Sequence, residues 1–256
     1  VLEKLTKKKL QTPGNQKKLS RPNKKMSTIM RATSDFNFSA FSVDPNAVAT
    51  KHGRGVFLNT VYKENGTYQR VKMQTPLLKA PFGLSTWSNE GEADKHTLSL
   101  NLAPCDGNDE AVREFYEWLE RLDAVIVQHI FEHQGELFPQ VKARGEKMSR
   151  DTIRQLYYGY VKPPVDPTYP ATTRVKVQEY FGKTPAVFNQ QREKVGFEAI
   201  QKGAKVIGIV ELGSVWLSPT QITASLRLAQ LQVVQEPVFE SPEEDFFMFE
   251  SQQFQD

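Results

Sequence analysis

The dipeptide Asn65-Gly66, set between the β-rich runs at residues 56–62 and 68–73, narrows the fold more than any other feature of this chain. Both residues tolerate the positive φ of a tight two-residue turn, and the flanking runs are rich in β-branched and aromatic side chains, so the segment predicts an antiparallel hairpin. On the second strand Tyr68, Arg70 and Lys72 fall on one face, while Val71 and Met73 fall on the other. One face is therefore basic and aromatic, and the other apolar.

The rest of the chain extends this pattern. Residues 98–102 read as another strand. Val112, Phe115, Leu119, Leu122, Ile126 and Ile130 then recur at spacings of three and four, the stripe of an amphipathic helix that Asp106 or Asn108 is placed to cap. A second helix is predicted over 149–158, ended by Gly159 and then Pro163-Pro164. Strand patterns return at 172–177, 205–212 and 226–234. Strands, helix, strands suits a mainly β fold, an OB-type Greek-key barrel with a helical insertion at about 106–160, and a β-sandwich would give much the same string. Residues 1–33 form a disordered basic arm in this reading, 34–235 the barrel domain, and 236–256 an acidic tail.

Charge supports that division. Up to Arg31 there are ten bases against Glu3 alone, 10 − 1 = +9; from Glu236 onward there are seven acids and no base, −7; the body carries 3 − 9 + 7 = +1. A chain with oppositely charged ends of this kind suits a nucleic-acid binder with a regulating tail. No stretch is apolar enough to span a membrane, so no membrane partner is expected. Cys105 is the sole cysteine, which rules out an internal disulfide and points to a reducing, intracellular compartment.

Single strands are held by cations that replace counterions along the phosphates and by aromatic faces on which bases stack. Three segments interleave the two. The first is the hairpin face of Tyr68, Arg70 and Lys72, extended by Lys79, Phe82 and Trp87; the second is Arg150, Arg154, Tyr157, Tyr158, Tyr160 and Lys162; the third is Arg174 and Lys176, alternate residues of one strand. Phe246, Phe247, Phe249 and Phe254 lie among the tail's carboxylates, a composition suited to occupying a basic groove when nucleic acid is absent or docking on a protein partner when it is present.

Enzyme motifs fare worse. His129, Glu132 and His133 match the H-x-x-E-H string of inverted zinc peptidases, yet no third ligand is evident beyond a remote Glu198, and the string is read as accidental. Phe181-Gly182-Lys183-Thr184 fails as a phosphate loop, because Val177 stands where the first glycine belongs and Pro185 where a helix should begin. No catalytic residue, cofactor or metal is expected.

The run from Gly203 through Trp216 to Leu217, followed by Arg227, Gln230, Gln232 and Val234 and then an acidic tail, resembles the closing strands of single-stranded DNA-binding proteins from nucleocytoplasmic large DNA viruses. Those are similar in turn to the single-OB phage replication proteins with acidic, aromatic C-termini. Tyr169 to Val177, with Arg174 and Lys176, resembles a preceding barrel strand, and the likeness extends loosely over 35–256. Where that group suggests a glycine and a second tryptophan before Arg227, this chain has Thr223-Ala224-Ser225-Leu226. The resemblance implies a protein that coats single-stranded DNA in viral replication, repair or recombination and recruits replication proteins through its tail, with RNA binding and a homodimer left open. It also implies a place in the host cytoplasm (the viral factory), the nucleus or the virion. The alternative is a structural or virion-packaged interaction protein that touches nucleic acid incidentally.

Overall fold

The computed structural model describes residues 27–30, 33–44, 46–49, 55–88, 94–138, 141, 143, 145–179, 184–218 and 220–235. Strands β1 (Ser27–Met30), β2 (Phe41–Val43), β3 (Val48–Ala49), β4 (Val56–Leu58), β5 (Thr60–Glu64), β6 (Thr67–Gln74), β7 (Leu78–Lys79), β8 (Leu84–Trp87) and β9 (Lys95–Asn101) come first. A long helix α1 (Asp109–Leu137) and a short helix α2 (Arg150–Leu156) follow. The chain then returns to strands: β10 (Tyr157–Tyr158), β11 (Thr172–Val177), β12 (Ala186–Phe188), β13 (Lys194–Val195), β14 (Lys205–Leu212), β15 (Val215–Leu217), β16 (Ile222–Thr223) and β17 (Leu226–Gln235).

The fold is mainly β, its principal sheet curled into a half-barrel with helices inserted between two groups of strands. Asn65 and Gly66 take φ of 49° and 77° and close the predicted hairpin between β5 and β6. Among the described residues the large sheet has twelve strands in the order β2-β5-β6-β14-β17-β11-β9-β8, with β1 added to β6, β7 to β14, and the β12–β13 pair alongside β17. A second sheet of five strands runs β10-β16-β15-β4-β3.

The two sheets meet at a corner, where links of one or two residues pass from one into the other: β4 into β5 through Asn59, β14 into β15 through Gly213-Ser214, and β16 into β17 through Ala224-Ser225. Gly213 N donates to the Ser225 carbonyl at 2.9 Å, and the Ser214 hydroxyl donates to Asn59 Oδ1 at 3.1 Å. Side-chain parity is unbroken through the last corner: Ile222, Ala224 and Leu226 are buried, while Thr223, Ser225 and Arg227 look outward. The outer faces of the two sheets are thus continuous there.

The predicted helical stripe is the buried one. Val112, Phe115, Leu119, Leu122, Ile126 and Ile130 join a single core with Leu98, Leu100, Val175, Val206, Val210 and Leu231 from the sheets' inner faces. Each large side chain withdrawn in this way contributes about 1.5–3 kcal/mol. Phe36 seals one end of the core, its ring 5.5 Å from Trp118 and 5.2 Å from Tyr62. No helix among the described residues is long and apolar enough to cross a membrane.

Three local expectations are corrected. Neither Asp106 nor Asn108 caps α1 by its side chain: Asn108 accepts from Cys105 N and donates to the Leu77 carbonyl, and Asp106 pairs with Lys205 at 2.6 Å. Helix α2 stops at Leu156 rather than Tyr158, because Tyr157–Tyr158 pair with Ile222–Thr223 as a strand. Ser27–Met30, inside the segment assigned to the disordered arm, form a strand parallel to β6, since Met30 has a core position to fill opposite Met73. Residues 1–26 and the acidic tail at 236–256 lie outside the described residues.

Candidate nucleic-acid interface

Strand register assembles a row of polar side chains from six segments that are far apart in sequence. On the outer face of the large sheet Ser85 pairs with Thr97, Thr97 with Lys176, Lys176 with Arg227, Arg227 with Glu211, and Glu211 with Lys72. Registered partners share a face, so these side chains lie side by side; five strand spacings of about 4.8 Å give a row roughly 24 Å long. Arg174 and Ser99 sit one step along the same face, as do Arg70 and, at the far edge, Trp87 opposite Lys95. The row contains one carboxylate, Glu211, which is buried and held between Arg227 at 3.4 Å and Arg70 at 3.8 Å.

Like charges are crowded here. The Lys176 ammonium is held below the ordinary lysine value, by burial first and then by the neighbouring Arg227. Lys162 is lowered the same way, by burial and then by Arg174, with Asp123 opposing the shift. Cations that repel one another in the free protein gain when a polyanion settles among them. A cleft of about 570 Å³ opens beside the Glu211 end of the row, and Tyr68, Arg70, Asn46, Asn59 and Arg227 are among the residues that line it.

The expected site residues divide in three. Arg70, Lys72, Trp87, Arg174 and Lys176 stand on this face, and Tyr68 continues it along β6, its exposed ring 5.4 Å from the Lys63 ammonium. Tyr158 and Lys162 belong to the same surface, since Lys162 bridges to Thr172 beside Arg174 and its ammonium lies 5.5 Å from the Tyr158 ring centroid. Lys79 shares the face but sits at its other end, registered with Lys205 six residues along β14 from Glu211; Phe82 is exposed in the turn beyond β7.

The remainder of the Arg150–Lys162 segment is corrected. Tyr160 is 2% exposed and Tyr157 donates its hydroxyl to Asp123 at 2.7 Å, so both rings serve the interior. Burial, and then the Asp123 charge, push both phenols well up from their ordinary value. Asp123 also accepts from the backbone N–H of Tyr160 at 2.8 Å and of Val161 at 3.1 Å, tying this loop to α1. Arg150 lies over Phe131 and donates to Gln128 on α1, and Arg154 is exposed on α2; neither helical residue is registered with the row. Phe246, Phe247, Phe249 and Phe254 are outside the described residues.

Arg227, Glu211 and Lys95 were missed as site residues. The alternation Thr223, Ser225, Arg227 against buried Ile222, Ala224, Leu226 marks Arg227 as outward-facing, but nothing local announces that Lys176 and Lys72 flank it. The histidine pair is real in space, with ring centroids of His129 and His133 4.5 Å apart. Among the described residues, however, no group of three or more His, Cys, Asp or Glu converges to hold a metal ion.

No curated protein matches the chain. Among solved structures it is similar to a single-stranded DNA-binding protein from bacteriophage Enc34 in complex with ssDNA, at 13% identity and TM-score 0.39, covering 74% of this chain and 94% of that one. It is similar also to gp2.5, a single-stranded DNA-binding protein encoded by bacteriophage T7, at 13% identity and TM-score 0.43, covering 67% of this chain and 96% of that one. The model of the family described as "Family of unknown function (DUF5871)" matches residues 111–249, more than half of the chain's length, and the chain belongs to that family.

Proposed function

We propose that this protein binds single-stranded nucleic acid, DNA in the first instance, as a coating protein rather than an enzyme, with the phosphates running over the outer face of the large sheet. The observation that carries the reading is the register-built row of Lys72, Arg227 and Lys176, flanked by Arg70, Arg174 and Lys162, in which cations crowd one another around a single carboxylate. Non-specific binding follows from the chemistry: ammonium and guanidinium groups on a sheet face contact phosphates and carry no base code.

The acidic tail supplies regulation in this proposal. It begins after Gln235, which is registered with Lys205, six residues and thus about 20 Å along β14 from Glu211. A tail of 21 residues (236–256) spans up to about 70 Å when extended, ample to lay its seven carboxylates along the row. When nucleic acid displaces it, the same segment with its phenylalanines is free to dock on replication proteins.

A labelled oligo-dT binding assay at two salt concentrations tests the core of the proposal. The parent should bind with an affinity that falls steeply with salt, and Lys176→Ala with Arg174→Ala should weaken binding and flatten that dependence. Affinity that ignores both salt and these substitutions would remove the row from the function.

A further inference from the structure

The five-stranded sheet carries a second row, and three of its five side chains are aromatic. Register pairs Val48 with Phe57, Phe57 with Trp216, Trp216 with Thr223, and Thr223 with Tyr158, one residue from each strand and all on one face. The opposite face holds Leu217 and Ile222, which are in the core, so the aromatic row looks outward. Phe57 is 40% exposed and Tyr158 52%, while Trp216 between them is half-buried. Gly55 lies against the indole: a Cβ there would come within 2.9 Å of Trp216 Nε1 and 2.4 Å of the Leu217 carbonyl, so the absence of a side chain is what lets the ring lie where it does.

Position relates this row to the basic one. Thr223 and Arg227 are on the same face of a continuous β16–β17 path, four residues and therefore about 13 Å apart. The rows run side by side across the strands, and they are bridged at one end by Tyr158, whose ring is capped by Lys162, itself crowded against Arg174. Rings held at the surface beside a line of cations suit a ligand that uses both. Unstacked nucleobases attached to a phosphate chain have that chemistry.

We infer that Phe57, Trp216 and Tyr158 form a base-stacking platform: a single strand lays its phosphates over Lys176 and Arg227 and turns its bases toward the five-stranded sheet. This rests on the single-strand reading above and adds to it a direction for the bases and three side chains that hold them. Aromatic platforms of this kind are indifferent to base identity and insensitive to salt, because the stacking contact involves no counterion.

The test compares oligo-dT with an abasic oligonucleotide of equal length on the full chain. The parent should prefer oligo-dT. Phe57→Ala and Tyr158→Ala, both at exposed positions, should each weaken oligo-dT binding by roughly 5- to 150-fold with the salt slope unchanged, and Phe57→Ala, which touches none of the cations, should narrow the preference over the abasic strand. Tyr158→Phe should restore the preference, because the ring and not the hydroxyl is used. In a Trp87→Phe background, where the half-buried Trp216 and the buried Trp118 remain, the fluorescence of Trp216 should be quenched by oligo-dT and not by the abasic strand. If the parent binds neither oligonucleotide, the function proposed above fails. If it binds oligo-dT while the platform variants retain the full preference over the abasic strand, the function stands and the platform is refuted, leaving the rings as a surface for something other than bases.

Discussion

Replacing Glu211 by glutamine should move stability and affinity in opposite directions. In the parent its carboxylate accepts from Arg227 at 3.4 Å and lies 3.8 Å from Arg70, with side-chain exposures of 11% for Glu211, 18% for Arg227 and 35% for Arg70. At an effective dielectric of about 20 each contact has a gross attraction of roughly 4–5 kcal/mol, but desolvation and the partial exposure of Arg70 cancel most of it. Glutamine keeps an oxygen for Arg227 and loses the charge. The net loss of folding stability should be about 1–2 kcal/mol, read as a lower urea midpoint.

Binding should improve for the same reason that folding suffers. Phosphate no longer competes with an internal anion, and relief of one or two charge-assisted contacts corresponds to roughly 5- to 30-fold tighter oligo-dT binding at about 50 mM salt. One more phosphate is neutralised, so the slope of log K against log salt should steepen by about 0.7, a further factor of about 2.5 between 50 and 200 mM. Fluorescence anisotropy at the two salt concentrations measures both quantities. A folded variant that binds no more tightly, with an unchanged slope, would refute the claim that phosphates lie over this row.

Asp123→Ala removes the acceptor of three buried donors, Tyr157 Oη, Tyr160 N and Val161 N, and should cost about 3–5 kcal/mol in urea denaturation; a loss below about 1 kcal/mol would contradict the role given to this carboxylate. Deleting residues 236–256 should tighten single-strand binding most at low salt, where ion pairs between tail and body are least screened, and unchanged affinity at about 50 mM would dismiss autoinhibition. Burial, and then His133, hold the His129 imidazole below its ordinary value despite Glu132, Asp44 and Glu136. The folded state therefore binds fewer protons than the unfolded one, and stability present above about pH 6.5 should decline as pH falls through that value toward the depressed one. His129→Gln should flatten this part of the urea midpoint against pH profile, and an equally steep decline in the variant would reassign it to another group.

Local pattern made the hairpin, the α1 stripe and the strands at 172–177, 205–212 and 226–234 legible, because each is written in consecutive residues as a turn dipeptide or a period of 3.6 or 2. The candidate interface is not local. Lys176 meets Arg227, and Phe57 meets Trp216, only through strand register, which depends on how distant segments pair. Tyr157, Tyr158 and Tyr160 show the same limit. Read along the sequence they gave an aromatic-basic cluster; as a strand entering a tight loop, Tyr157 turns inward to Asp123, the Tyr160 ring is buried and Tyr158 alone faces out. The choice was made by Ile222–Thr223, over sixty residues away.

Asp123 has a consequence for how the molecule transmits a load. It lies midway along α1, and its carboxylate accepts from the adjacent backbone N–H groups of Tyr160 and Val161, in the loop between Tyr158 and Lys162. In the single-strand reading proposed above, a strand drawn across the sheet would pull on the helix through the three hydrogen bonds to Asp123, although no nucleotide need touch it. Amide protons in the middle of α1 should then exchange more slowly when the outer face is occupied, and the helix becomes a remote gauge of whether the protein is loaded.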